Sequence, residues 1–107
     1  MIPPFDRQSF LQSIAEGRIE WRKHVLVRLL ERGITQAKVL ECVSSGACIQ
    51  TYSDDTPFPS ALFFAMVEGE PFHVVASFDE IMKKVYIITA YKPSSDIFEP
   101  DFITRKK

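Results

Sequence analysis

The chain has 107 residues, 13 Lys and Arg against 14 Asp and Glu, and an apolar share of 46%, which fits one folded domain that buries roughly 60–70% of its unfolded surface. The longest apolar run, 61–67, is too short to cross a bilayer, and the opening Met1-Ile-Pro-Pro-Phe-Asp has neither the basic start nor the apolar run of a secretion signal. Two cysteines, Cys42 and Cys48, show no CxxC or Cys/His spacing for zinc, so the expectation is a cytoplasmic chain with buried free thiols, no metal and no cofactor.

Asp6 is placed to cap a first helix over 7–16, with Phe10, Leu11 and Ile14 at helical spacing and Gly17 as its stop. A second helix is predicted over 19–32, with Trp21, Val25, Leu26, Leu29 and Leu30 on one face and Gly33 at its end. Thr35 then opens a third helix running to about Ser44, carrying Val39, Leu40 and Val43. Beyond Gly46 the pattern changes to β-branched and aromatic runs at 48–53, 61–67, 72–78 and 84–92. The short turn-forming connections between them favour an antiparallel meander. The tail from Pro93 is expected to wrap over the sheet, anchored by Phe98 and Phe102. The predicted architecture is a single α+β domain over 1–107, with N-terminal helices packed on a four-stranded antiparallel sheet.

Charge is unevenly placed along the chain. Residues 17–38 hold Arg18, Arg22, Lys23, Arg28, Arg32 and Lys38 against Glu20 and Glu31, and residues 39–82 hold seven acids with no Lys or Arg. The tail turns basic again with Arg105, Lys106 and Lys107. Such asymmetry can build one cationic, anion-binding face on a neutral protein.

His24, Arg28 and Arg32 fall at i, i+4 and i+8 and so share one side of the second helix. Imidazole trades protons near neutral pH and guanidinium grips phosphate oxygens bidentately, so the set suits phosphate chemistry. A solvated basic flank has the same pattern. His73 alternates with Phe72 and Val74 in the third strand, either as a structural histidine or as a second acid–base group. In the fourth strand, alternation puts Val85, Ile87, Thr89 and Tyr91 on one face and Tyr86, Ile88 and Ala90 on the other. Thr89 and Tyr91 are hydrogen-bonding candidates for a phosphate or base, and Tyr91 is also a stacking platform, though both are ordinary strand formers too. No Gly-rich phosphate loop and no serine nucleophile elbow is present, and Asp54-Asp55 reads as turn chemistry.

The run His24-Val-Leu-Val-Arg28-Leu-Leu-Glu-Arg32-Gly33-Ile34-Thr35 resembles a bacterial family, domain of unknown function 4258. Tyr52 to Leu62, Pro71-Phe-His73-Val-Val75, Ile88-Thr89-Ala-Tyr91-Lys-Pro93, Phe98, Asp101-Phe102 and Arg105 continue the likeness in order over about 20–105. Residues 1–19 lie outside it and read as an extra packing helix. The resemblance implies a RelE-like or barnase-like ribonuclease fold and a toxin-type endoribonuclease held in check by a cognate antitoxin, in some cases of zinc-finger and helix-turn-helix type. On that reading His24, Arg28, His73 and Tyr91 are catalytic, and Arg32, Thr89 and Arg105 bind RNA. The alternative is a non-catalytic protein- or RNA-binding module.

Overall fold

A computed structural model describes residues 1–106 of the chain. The Asp6 carboxylate accepts from the Ser9 N–H at 3.1 Å and sets the start of α1, Arg7–Ala15, which buries Phe10 and Ile14. Ile19–Glu20 then form a short strand, β1, followed by α2, Lys23–Arg32, and α3, Gln36–Ser45. The second helix therefore starts four residues later than its periodicity predicts. Ile19 and Glu20 instead pair in parallel with Val85 and Tyr86, and two residues are too few to display the alternation that marks a strand. Leu30 also departs from expectation: it is 83% exposed, while Val25 and Leu29 carry the buried face of α2.

Gly33 ends α2 in the left-handed region, at φ 65. Its N–H bonds the Leu30 carbonyl and that of Ile34 bonds the Leu29 carbonyl, a closing pair that needs this backbone shape. Thr35 accepts from the Lys38 N–H at 3.2 Å and opens α3, as predicted. At Gly46, where α3 turns into the sheet, a Cβ would lie inside contact distance of the Cys42 carbonyl oxygen and 2.7 Å from that of Phe64. No side chain fits there.

Four longer strands follow: β2, Ala47–Tyr52; β3, Ser60–Val67; β4, Glu70–Asp79; and β5, Lys84–Tyr91. They form the antiparallel meander expected, but β1 adds a fifth, parallel strand and gives the order β1-β5-β4-β3-β2. The sheet is thus mixed rather than purely antiparallel.

A register shift corrects the face assignment of β5. Val75 pairs with Thr89 but Ala76 with Ile87, so Ile88 is a bulge residue with no partner. Val85, Ile87 and Ala90 consequently face the core with Phe72, Val74, Ala76 and Phe78. Tyr86, Thr89 and Tyr91 pair with Ser77, Val75 and His73 on the opposite face. The expected grouping of Val85 and Ile87 with Thr89 and Tyr91 fails because simple alternation allows no extra residue.

The core lies between the helices and one face of the sheet. Phe10 sits at its centre, 4.8 Å from the ring of Phe5, 5.4 Å from Phe63 and 5.6 Å from Phe78. Cys42 and Cys48 are both free and buried, and burial pushes the Cys42 thiol up to about 12. No helix among the described residues is long and apolar enough to cross a membrane.

Candidate functional site

Strand β1 covers β5 only at Val85 and Tyr86, so the edge of β5 from Ile87 onward has no strand partner on that side. Helix α2 packs there. Arg32 donates from Nη1 to the Ala90 carbonyl at 2.8 Å and lies 3.5 Å from Thr89 Oγ1. The guanidinium thereby satisfies an edge carbonyl that would otherwise invite another strand. His24, Arg28 and Arg32, one helical turn apart, line a cleft of about 250 Å³ with Ile88 and Thr89. All three of these side chains belong to exposed residues.

Only some of the cations among the described residues are ion-paired. Arg18, Lys38, Lys84 and Lys92 each pair with a glutamate. Arg22, Arg28, Arg32 and Arg105 have no carboxylate within ion-pair distance among the described residues. Arg32 spends one donor on the Ala90 carbonyl, and the charge of all four guanidinium groups stays open to an incoming anion.

His73 lies elsewhere. It is 0% exposed, held edge-on against Phe64, Tyr91 and Phe98. Its Nε2 lies 2.7 Å from the Phe102 carbonyl and its Nδ1 3.2 Å from the Tyr91 hydroxyl. A carbonyl only accepts, so Nε2 carries the proton and Nδ1 of the neutral ring accepts from Tyr91. Both nitrogens are engaged and neither meets a cleft. Burial holds the imidazole below its ordinary value, with the Phe102 carbonyl acting in the opposite sense.

That shift has a sign. The folded state binds the His73 proton less readily than the unfolded chain, so the neutral ring's contribution is complete above the ordinary value of 6.5. It is lost as pH falls from there through the folded value. Thermal melts from about pH 8 to about pH 5 should therefore show a decline that His73→Gln flattens. Equal slopes for both proteins would refute this.

The tail beyond β5 closes over this face. Phe98 is buried and pairs with Arg105 through an isolated bridge, with the Arg105 guanidinium 5.9 Å from the Phe98 ring centre. This is the docking expected of Phe98 and Phe102, whose carbonyl holds His73. Between tail and sheet runs a second cleft of about 310 Å³, where Tyr91 and Arg105 meet Gln50, Tyr52 and Leu62. Burial raises the Tyr91 phenol, as does the neighbouring Tyr52, while Arg105 lowers it.

The structure thus gathers His24, Arg28, Arg32 and Thr89 into one cleft and Tyr91 and Arg105 into another. Thr89 and Tyr91 link the two clefts, two residues apart on β5. His73 joins neither and instead holds the Tyr91 hydroxyl from behind. Gln50 was not singled out by sequence and Tyr52 only as part of the family likeness; their type was visible, but only the sheet pairing brings them to this face. No group of three or more His, Cys, Asp or Glu among the described residues is placed to hold a metal.

Fold and site together define a small α+β domain with an unpaired cationic helix flank set against the open edge of its sheet. Residues 21–92 match the family described as a domain of unknown function, DUF4258, and the chain belongs to it. No curated protein and no solved structure matches the chain.

Proposed function

We propose that the protein is a toxin-type endoribonuclease that cuts RNA in the cytoplasm by metal-independent acid–base chemistry. The observation that carries this reading is the convergence of His24, Arg28, Arg32 and Thr89 on one cleft, with guanidinium groups that no carboxylate neutralises. The RelE-like or barnase-like character that the sequence resemblance implies points the same way.

In this mechanism His24 removes the proton of a ribose 2′-hydroxyl. The 2′-oxygen attacks the adjacent phosphorus, the bond to the 5′-oxygen breaks, and that oxygen takes a proton from water. Arg28 and Arg32 stabilise the charge gathering on the phosphorane, and the Thr89 hydroxyl orients a non-bridging oxygen. Arg105 binds the RNA strand further along, and Tyr91 offers its ring to a neighbouring base. His73 is a positioning residue: it fixes the Tyr91 hydroxyl and ties the tail to the sheet.

The chemistry predicts its own products. Incubating a labelled single-stranded RNA with the protein in EDTA should give fragments ending in 2′,3′-cyclic phosphate and beginning with 5′-hydroxyl. No cleavage across a panel of RNAs, or cleavage only with added divalent metal, would overturn the reading.

A toxin also needs a cognate antitoxin protein. Val27 is 45% and Leu30 83% exposed on α2, and Val27 shares a shallow hollow with Lys23, His24 and Arg28. An inhibitor seated on these apolar residues would close the His24 cleft at the same time.

A further inference from the structure

A third cleft, of about 380 Å³, opens on the other side of Ile88 from the His24 cleft, and Ile88 lines both. Its walls are Arg22 before α2, the 55–58 loop, Ser60 on β3, Ser77 on β4 and Tyr86 on β5. Phe58 and Tyr86 stack at 5.5 Å with 15° between their rings, and the Arg22 guanidinium lies 5.9 Å from the Tyr86 ring centre. At the polar end, Ser60 donates to Asp55 Oδ2, which orients the carboxylate and leaves Oδ1 open. Ser77 is only 6% exposed, yet it lines this cleft and takes part in no side-chain hydrogen bond among the described residues.

A stacked aromatic pair, an oriented carboxylate and a hydroxyl that meets the cleft suit a planar ring with hydrogen-bond donors on its edge. Asp55 repels a phosphate, so this is not a second anion site. It also disfavours uracil, whose edge has one N–H between two carbonyls. Cytosine and adenine each set one amino group beside an acceptor nitrogen. Guanine alone presents two adjacent donors, N1–H and the 2-amino group, which match a carboxylate. We infer that this cleft is a base-reading pocket for an unpaired guanine of the RNA strand whose phosphate lies at the His24 cleft. The inference rests on the ribonuclease reading for the identity of the strand. Stacking on the Phe58–Tyr86 pair supplies affinity, and Asp55 with Ser77 supplies selectivity.

Binding can be read without cleavage. Tetranucleotides UUGU, UUAU, UUCU and UUUU carrying 2′-O-methyl groups have no attacking hydroxyl, and their affinities follow from fluorescence anisotropy of the labelled strands. On the wild-type protein UUGU should bind at least about 10-fold tighter than UUUU. Asp55→Asn, which keeps an acceptor for Ser60 but loses the charge, should bring the four to near equality, and Ser77→Ala should weaken UUGU in particular. His24→Ala should leave the preference intact. Equal affinities on the wild type, preference for another base, or a guanine preference that survives both Asp55→Asn and Ser77→Ala would overturn the pocket. Guanine preference without any RNA cleavage would overturn only the nuclease reading, and cleavage without base preference only the pocket.

Discussion

His24→Ala should slow RNA cleavage in EDTA by roughly 10²–10⁴-fold, the usual contribution of one general acid–base group. The loss belongs to the chemistry and not to the fold. His24 is exposed, so its removal should leave the melting temperature close to that of the wild type. Of the chain's two histidines, it alone faces a cleft, because both nitrogens of His73 are committed to Tyr91 and Phe102. The contrast between them is the sharper test. His73→Gln should lower stability and disturb Tyr91, yet keep far more activity than His24→Ala. The reverse order, or a His24→Ala protein that cuts at the wild-type rate, would remove His24 from the mechanism.

Phe10→Ala should cost about 3–5 kcal/mol of stability, the range for emptying a buried aromatic site. Small domains hold only about 5–15 kcal/mol in all, so the variant should melt far earlier or fail to accumulate as folded protein. Phe10 is 1% exposed and touches Phe5, Phe63 and Phe78, so its truncation opens a cavity between α1 and the sheet. Chemical denaturation of wild type and variant measures the difference directly. A loss below about 1 kcal/mol would mean that α1 is a loosely attached appendage. The result bears on the limits of the domain. The family match begins at residue 21, but Phe5, Phe10 and Ile14 belong to the same core as Val74 and Ile87. The segment read from sequence as an extra packing helix is therefore structurally continuous with the family region.

Much of this fold was legible because local rules were obeyed. Asp6 and Thr35 cap their helices, Gly33 closes α2, and the four long strands fall within a residue or two of their predicted ends. What sequence missed was set by tertiary pairing. Ile19–Glu20 became a strand only because Val85 and Tyr86 offered an edge. The helical spacing of His24, Arg28 and Arg32 was readable as one stripe, whereas the approach of Thr89 depends on how α2 lies along β5. The closure around His73 depends on a tail almost 30 residues away, since its Nε2 partner is the carbonyl of Phe102. The guanine pocket draws on residues 22, 55, 58, 60, 77 and 86, a set whose spacing follows no helical or strand period.

Ile88 shifts the reading frame of its strand. Up to Ile87 the odd-numbered positions point inward, and after the inserted residue the inward position is the even-numbered Ala90. One strand can thus spend its first half building the interior and still turn Thr89 and Tyr91 outward at its end. Deleting Ile88 would leave Ile87, Thr89, Ala90 and Tyr91 in plain alternation with their faces unchanged, whereas taking Ile88 into the regular ladder would drive a threonine and a tyrosine toward the phenylalanines and Ala90 toward water.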